Sequence, residues 1–340
     1  MDILLRNKRE DEQEYTIHLF EYCNLRCGFC WQNHENETGL DTVLEKLEPI
    51  EKFFQKETKK KVVFNVMGGE IFSPDIFDEN LLHTYKLFVE GIKSLSVKYQ
   101  ISVRINWVSN MVTDKVHLID SLMLHSEKSG IFSSLVTSYD AKGRFNINEF
   151  LQFKKTVDYF GDRIKNFSML LTKQNIQHIL KNKDPYFKYL YSEGKEIYFD
   201  YYMPDQHAKI QAPSDTELLE VFKFTIDNYP NVQPIRGWLE NDANKLSCRS
   251  SKLVLEDGTM CMCGNLVSEE TKINIYKSPI HKDSNVDIEQ SFLNKYDCLS
   301  CEYFTRCGLG CFMQHDYKFR EELDECVYKL THRYIDNVRI

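Results

Sequence analysis

The sequence predicts an α/β fold, in the form of a partial (β/α)6 TIM-type barrel followed by a Cys-rich C-terminal region. Short runs of β-branched and aromatic residues alternate six times with longer amphipathic stretches over the first two thirds of the chain. Such alternation is typical of a parallel sheet. Eight of the 11 cysteines lie after position 247, where the alternation stops. The last hundred residues are therefore predicted to form a separate, metal-bearing region.

Each element of the barrel is predicted from its own run. The predicted strands are the apolar runs 15–20, 62–67, 101–108, 133–138, 167–172 and 197–203. The predicted helices are the amphipathic segments 41–57, 78–98, 114–127, 147–160, 175–191 and 214–229. Six repeats fall short of a complete eight-unit barrel, so we expect an open or partial barrel with its chemistry at the carboxyl ends of the strands.

The remaining chain divides into a bridge and the Cys-rich region. Four prolines between 204 and 247 mark the bridge. Beyond it, 253–262 is predicted to be a hairpin in which Asp257 and Gly258 form a type I′ turn. We therefore expect a core at 1–205, a bridging segment at 206–247 and an auxiliary domain at 248–340.

Composition narrows the class of protein. A hydrophobic fraction of 42% and a charged fraction of 28% are ordinary for a soluble globular chain. The net charge of −8 disfavours nucleic acid or an anionic membrane as a partner. No apolar run is long enough for a transmembrane helix, and no export signal is evident. An odd number of cysteines without such a signal predicts reduced thiols in the cytoplasm.

The first group of cysteines follows directly on the first predicted strand. Cys23, Cys27 and Cys30 lie within eight residues. Three thiolates leave one iron of a [4Fe–4S] cluster open, and an open iron can chelate a substrate. The alternative is a zinc site with His18 or His34 as a fourth ligand.

This Cx3Cx2C loop, with Phe29 before its last Cys, resembles that of the radical S-adenosylmethionine (SAM) enzymes. The resemblance implies that the open iron binds SAM, which one electron cleaves to methionine and a 5′-deoxyadenosyl radical. Gly68, Gly69 and Glu70 end the second predicted strand and match the GGE motif, which implies a site for the SAM ammonium group. Glycines allow close backbone approach. The alternative is a Gly-Gly turn with a solvated Glu.

Polar residues also end the third and fourth predicted strands. Ser109-Asn110 stands where relatives often carry Thr-Asn-Gly, and Ser138-Tyr139-Asp140 where they often carry Ser-Leu-Asp-Gly. The resemblance implies that the ribose and carboxylate of SAM are met by Asn110, Ser138 and Asp140. Arg144 is a further candidate for the carboxylate. Asn and Asp at strand ends are also common turn formers, which is the alternative interpretation.

The second group of cysteines resembles the SPASM domain, which binds two auxiliary [4Fe–4S] clusters. The resemblance assigns to the distal cluster Cys298, Cys301, Cys307 and Cys326. It assigns to the cluster nearer the active site Cys248, Cys263 and Cys311. Structural zinc is the alternative.

One ligand of the nearer cluster is left open. Fully ligated relatives carry a Cys where this sequence has Asp242. The alternatives are an iron that is open to substrate, an oxygen ligand from Asp242, and a thiolate ligand from Cys261. Residues two apart on a strand share a face, so Cys261 could accompany Cys263. A buried thiol is the other interpretation of Cys261.

The resemblance extends from about 15 to 330 and is strongest to peptide- and protein-modifying enzymes, including anaerobic sulfatase-maturating enzymes. It implies SAM and three [4Fe–4S] clusters as cofactors, and hydrogen abstraction from a peptide or protein residue that ends in oxidation, a cross-link or epimerisation. It also implies an electron donor such as flavodoxin or ferredoxin. Few residues precede the first strand, so we expect a separate leader-binding protein if the substrate has a leader.

Several assignments stay open at this level. Gly264 stands where sulfatase maturases have an Asp base, so the acid or base is unassigned. The stretch Tyr198 to Asp205 is a candidate pocket wall or an ordinary core strand, and His207, His281 and His315 are unassigned. The alternatives for function are radical modification of a small molecule, nucleotide or modified base, and a non-enzymatic iron–sulfur carrier or zinc-organised interaction protein. A carrier needs neither the GGE motif nor the open Cys trio.

Overall fold

The structure is a computed structural model that describes residues 12–30, 34–35, 37, 39–181, 183–202, 211–241, 252–258, 260–261, 293–307 and 323–338. Its centre is one sheet. The strands are β1 (Glu12–His18), β2 (Lys61–Met67), β3 (Ser102–Ser109), β4 (Phe132–Ser138), β5 (Ile164–Leu170), β6 (Glu196–Asp200), β7 (Lys252–Val254) and β8 (Met260–Cys261). Their order is β6-β5-β4-β3-β2-β1-β7-β8. All neighbours pair in parallel except β7 and β8, so the predicted six-stranded parallel sheet is extended by a hairpin beside β1.

Helices follow the strands in the alternating pattern that parallel pairing requires. They are α1 (Leu47–Phe54), α2 (Glu79–Tyr99), α3 (Val116–Lys128), α4 (Ile147–Phe160), α5 (Lys173–Leu180), α6 (Pro185–Ser192), α7 (Asp215–Asn228), α8 (Ile235–Leu239) and α9 (Val327–Val338). Ser214 caps α7 in a capping box with Glu217. Within the described ranges, no helix is both long and apolar enough to cross a membrane.

The outer face of the sheet forms the main core with the helices. Tyr15 of β1 lies 5.1 Å from the Phe53 ring and 6.0 Å from the Phe54 ring of α1. Trp107 of β3 lies 5.6 Å from Tyr85 of α2, and both side chains are fully buried. Because side chains alternate along a strand, the residues between these belong to the opposite, inner face.

The inner face is polar and remains partly accessible. Asn106 of β3 donates a hydrogen bond of 2.9 Å to Asn65 of β2, and Ser134 of β4 donates one of 2.7 Å to Asn106. Arg104, two residues before Asn106 on β3, forms an ion pair with Glu12 at 3.2 Å. A face lined by half-buried polar side chains is suited to admit a ligand, unlike the filled interior of a complete barrel.

The predicted helix over 175–191 is wrong in one respect, because the chain forms two helices there. Pro185 stands at the first position of α6, and Asp184 accepts hydrogen bonds of 2.9 Å from the N–H groups of Tyr186 and Phe187. Proline has no N–H to donate and disfavours helical backbone in the residue before it. The Asp-Pro pair therefore ends one helix and begins another.

The predicted hairpin is present, but its type I′ turn is wrong. That turn needs a positive φ at both central residues, whereas only Gly258 of the predicted pair has one, at 78°. Leu253 pairs with Cys261 and Val254 with Met260, so the connection is longer than two residues. The N–H of Gly258 donates to the carbonyl of Leu255 at 2.9 Å within it.

The predicted bridge contains two packed helices, α7 and α8. The Phe222 ring of α7 lies 5.1 Å from Trp238 of α8, and Trp238 lies 6.1 Å from Tyr328 of α9. His332 of α9 stacks on Tyr303 at 5.6 Å, in the segment that carries the C-terminal cysteines. We call Phe222, Trp238, Tyr328, His332 and Tyr303 the aromatic bridge, because these rings join α7 and α8 to the C-terminal region.

Candidate functional site

The predicted Cys trio lies in a loop at the carboxyl end of β1. Cys23 is buried, and its sulfur accepts a hydrogen bond of 3.4 Å from the N–H of Leu25. Burial raises the pKa of the Cys23 thiol to about 12, and the charges of Glu70, Cys27 and Cys30 act in the same direction. The three thiols therefore lie within electrostatic reach of one another. Three converging thiols are the soft donor set that an iron–sulfur cluster requires.

The zinc alternative concerns His18 and His34. Burial lowers the pKa of His18 to about 4 at the end of β1, and it also lowers the pKa of His34. The carbonyl of His34 accepts a hydrogen bond of 3.1 Å from the N–H of Cys23. Across the described residues, no three His, Cys, Asp or Glu side chains are grouped as ligands of one metal ion. That observation concerns a single-ion site and not the wider spacing of thiolates around a cluster.

Gly68 and Gly69 hold the Cys loop against the end of β2. The N–H of Gly69 donates to the carbonyl of Phe20 at 2.8 Å, and the N–H of Glu70 donates to that of Tyr22 at 2.7 Å. A Cβ on Gly69 would lie 2.0 Å from the carbonyl oxygen of Glu21 and 2.2 Å from that of Tyr22. The close approach predicted for this motif is thus made to the backbone of the Cys loop itself.

The Glu70 carboxylate joins β2 to the end of β3. It is 1% exposed and accepts hydrogen bonds from Ser109 Oγ at 2.7 Å, the N–H of Asn110 at 2.5 Å and the N–H of Phe72 at 2.9 Å. Burial raises its pKa, and these three bonds oppose that rise. Glu70 is therefore a buried anchor of the rim and not the solvated Glu of a simple turn.

Asn110 connects the end of β3 to the Cys loop. Its side-chain amide donates to Asn24 Oδ1 at 2.9 Å and lies 3.9 Å from Cys23 Sγ. Its own oxygen accepts from the N–H of Val112 at 2.8 Å. The turn is completed by Met111, which has a φ of 58°. Asn110 thus touches the Cys loop directly, whereas Ser138 lies further along the rim, half-buried at the end of β4.

Asp140 and Arg144 form a buried ion pair beyond β4. Arg144 donates to Asp140 Oδ2 through Nε and a terminal nitrogen, both at 2.7 Å. Asp140 Oδ1 accepts from the N–H of Leu170 and from Asn175 Nδ2, both at 2.8 Å. Burial lowers the pKa of Arg144, but Asp140 and the thiols of Cys27 and Cys30 raise it by more, to above its usual value.

Arg144 also connects the segment after β4 to the Cys loop. Its guanidinium lies 5.3 Å from the Phe29 ring centre, a cation–π distance. The N–H of Gly28 donates to the carbonyl of Gly143 at 3.1 Å. The loop after β1 is therefore held at β2, β3 and β4 together. Along this rim the structure brings together the predicted residues Cys23, Cys27, Cys30, Gly68, Gly69, Glu70, Asn110 and Asp140.

The described part of the C-terminal group lies around α9. Cys326 precedes this helix, and its sulfur accepts hydrogen bonds from the N–H groups of Tyr328 and Lys329. Burial raises the pKa of Cys326, and the thiol of Cys301 adds to the rise, so these two sulfurs are near neighbours. Cys298 and Cys307 are buried in the segment that packs through Tyr303 against α9.

Other predicted residues lie outside the described ranges. They are Asp242, Cys248, Cys263, Gly264, Cys311, His207, His281 and His315. Cys261 is placed by its backbone in β8, opposite Leu253. The ligand set of the nearer auxiliary cluster therefore stays a prediction.

Two residues of the rim were not singled out from the sequence. Asp200 ends β6 on the inner face, and Ser168 lies on the neighbouring strand β5. Asp200 fell within the stretch predicted as a pocket wall, but nothing distinguished it from its neighbours. The sequence did contain a sign of its position, because Asp200 is a charged residue at the end of a strand and alternation places it on the inner face.

Comparison with known proteins supports the fold. No family model matches the sequence, and no curated protein matches it. The chain is similar to the solved structure of a polyhistidine-tagged anSMEcpe with bound AdoMet, with a TM-score of 0.65, 16% identity and 96% of each chain covered. At this identity the similarity establishes the fold alone, and it confirms the predicted fold class. A second solved structure, Streptococcus suis SuiB, has 17% identity, a TM-score of 0.49 and coverage of 92% of this chain and 76% of its own. The second score is too low to indicate a common fold.

Proposed function

We propose that this chain is a radical SAM enzyme that cleaves SAM reductively to a 5′-deoxyadenosyl radical. The observation that carries the proposal is the convergence of Cys23, Cys27 and Cys30 beside the Gly68–Glu70 turn at the carboxyl ends of β1 and β2. A four-iron cluster held by the trio supplies one electron and an open iron. AdoMet is also a ligand of the structurally similar anSMEcpe.

The chain's own residues have distinct roles in this proposal. The Gly68–Glu70 turn fixes the Cys loop, and Asn110 supports Cys23 through its side-chain amide. Arg144, oriented by Asp140, places a positive charge near Cys27 and Cys30 at the side of the site. Ser138 ends β4 on the inner face, and in this proposal it would meet the ribose of SAM.

We further propose that the hydrogen is removed from a peptide or protein residue. The polar, accessible inner face supports entry of a substrate larger than SAM. The seven spaced cysteines near the C terminus support two auxiliary [4Fe–4S] clusters. An electron donor such as flavodoxin or ferredoxin, a cytoplasmic location and a separate leader-binding protein complete the proposal.

The first experiment is anaerobic reconstitution with iron and sulfide, followed by iron counting and an assay for 5′-deoxyadenosine with dithionite. We expect about 12 irons per chain and SAM cleavage. About four irons with cleavage would remove the auxiliary clusters but keep the enzyme. Zinc without cleavage would contradict the radical chemistry.

Cys27→Ala tests the catalytic centre itself. We expect SAM cleavage to be abolished while about eight irons remain, because the auxiliary cysteines are intact. The matched variant Cys301→Ala should lose about four irons and still cleave SAM. Cleavage retained by Cys27→Ala would contradict the assignment of the trio.

A further inference from the structure

Asp200 lies at the open inner face of the sheet. It is the last residue of β6, and the preceding Phe199 is buried on the outer face, so alternation places Asp200 on the inner one. Its side chain is exposed to solvent. Surrounding protein nevertheless raises the pKa of its carboxyl to about 6. The carboxylate is therefore accessible from the inner face of the sheet, on the same side as Ser138 and the Asn106 network.

The charges around Asp200 are not balanced by the chain. Asp140 and Arg144 are the charged groups that act on it, and they are already paired with each other at 2.7 Å. In the described part of the chain, no lysine or arginine forms an ion pair with Asp200. Two carboxylates and one guanidinium leave one negative charge without a partner.

Apolar side chains connect the neighbourhood of this carboxylate to the Cys loop. Tyr202, two residues beyond Asp200, is 3% exposed and packs against Phe29 of the Cys loop. Leu170, opposite Asp200 in the sheet, and Cys27 pack against the same pair. Asp200 therefore lies close in the fold to the loop that carries the Cys trio.

We propose that Asp200 binds a cationic group of the ligand that occupies this inner face. The group is either the sulfonium of SAM or an ammonium or guanidinium of the substrate. This inference rests on the proposed function, and it adds a specificity-determining residue to that site.

The test measures binding to the reconstituted full-length protein by equilibrium dialysis. The first probes are SAM and S-adenosylhomocysteine, which share all groups except the methyl and the positive charge. If SAM supplies the cation, Asp200→Asn raises the Kd for SAM about tenfold and that for S-adenosylhomocysteine less than about threefold. Asn keeps the size and the polarity of the side chain, so the variant removes the negative charge.

The second probe is an equimolar mixture of acetylated, amidated tripeptides Gly-Xaa-Gly, whose retained members are quantified by mass spectrometry. If the substrate supplies the cation, the wild-type protein enriches the Lys and Arg members and Asp200→Asn does not, while SAM binding is unchanged. Asp200→Glu should retain the preference in whichever arm is positive.

The control is Asp162→Asn, which removes a carboxylate that is fully exposed and paired with Lys195 on the outer surface. It should bind every probe like the wild type. An unchanged Kd for SAM together with no loss of Lys or Arg enrichment in Asp200→Asn would overturn the proposal. Absence of SAM binding by the wild-type protein would instead overturn the proposed function, so the two failures are distinguishable.

Discussion

Gly69 lies where two backbone segments approach more closely than any side chain would allow. The carbonyl oxygens of Glu21 and Tyr22 occupy the space that a Cβ would need. This contact is the local reason that the Cys loop stays against β2. The contact requires a residue without a side chain at position 69, and it does not depend on a ligand.

Gly69→Ala should therefore destabilise the protein before any ligand is added. Overpacking a rigid site costs about 1–3 kcal/mol, and backbone atoms cannot move aside as side chains do, so we expect about 3 kcal/mol in urea unfolding. The matched variant Gly28→Ala lies in the same loop with no atom within 4 Å of the added methyl. Equal stability of the two variants would contradict the close approach.

At the scale of elements, Asp184 connects a helix cap to the rim of the site. Its carboxylate caps α6 and also accepts from the hydroxyl of Tyr139, at 2.9 Å and 3.0 Å to its two oxygens. Tyr139 stands between Ser138 and Asp140 in the chain and is buried. The break between α5 and α6 therefore supports the turn that follows β4.

Asp184→Ala should cost more than the loss of an ordinary cap. A cap is worth about 1 kcal/mol, and a stranded buried hydroxyl costs about 1–3 kcal/mol more. The comparison is Asn146→Ala, which removes an exposed cap of α4 and should cost only the first amount. In the Tyr139→Phe background, the two variants should become nearly equal in unfolding experiments. A persistent difference there would contradict the role of the Tyr139 hydroxyl.

The strands were predictable because one face of each is apolar, but their ends were not. The run 15–20 was predicted as a strand, yet β1 spans Glu12–His18. Leu19 and Phe20 are fully buried and still leave the sheet, since their backbone turns towards Met67 and Gly69. Hydropathy indicates which residues are buried, whereas a strand ends where its backbone hydrogen bonds to the neighbouring strands end.

The candidate site also contains some residues that the sequence predicts and others that it does not. The Cys trio and the GGE motif are local in sequence, so they were predicted from their residues and from the family resemblance that these residues carry. The partners of Glu70 on β3, and the position of Asp200 beside Ser168, depend on which strands become neighbours. No local pattern contains that information, which is why Asp200 was grouped with the rest of its stretch.

At the scale of the whole molecule, the aromatic bridge makes the C-terminal region part of the barrel's core. Trp238 is 1% exposed and contacts both Phe222 and Tyr328. The ring of Tyr328 also lies 6.2 Å from that of Tyr201, just beyond β6. A substitution in the aromatic bridge should therefore destabilise both the barrel and the C-terminal region.

Trp238→Ala should lower the free energy of unfolding by about 3–5 kcal/mol, the usual cost of emptying a large buried site. Unfolding followed by tryptophan fluorescence and by cluster absorbance should stay coincident in the wild type. The control Val97→Ala, at a 65% exposed position on α2, should change stability by less than about 0.5 kcal/mol. Separate transitions in the wild type would contradict a shared core.

The pairing of β7 with β1 also has a consequence for the order of events during synthesis. Tyr15 to Ile17 pair with Lys252 to Val254, so β1 leaves the ribosome well before the strand that covers this edge. Until then its outer backbone edge is a template for any other extended chain. The nascent polypeptide is thus most vulnerable to wrong association over the interval in which the rest of the barrel is being translated.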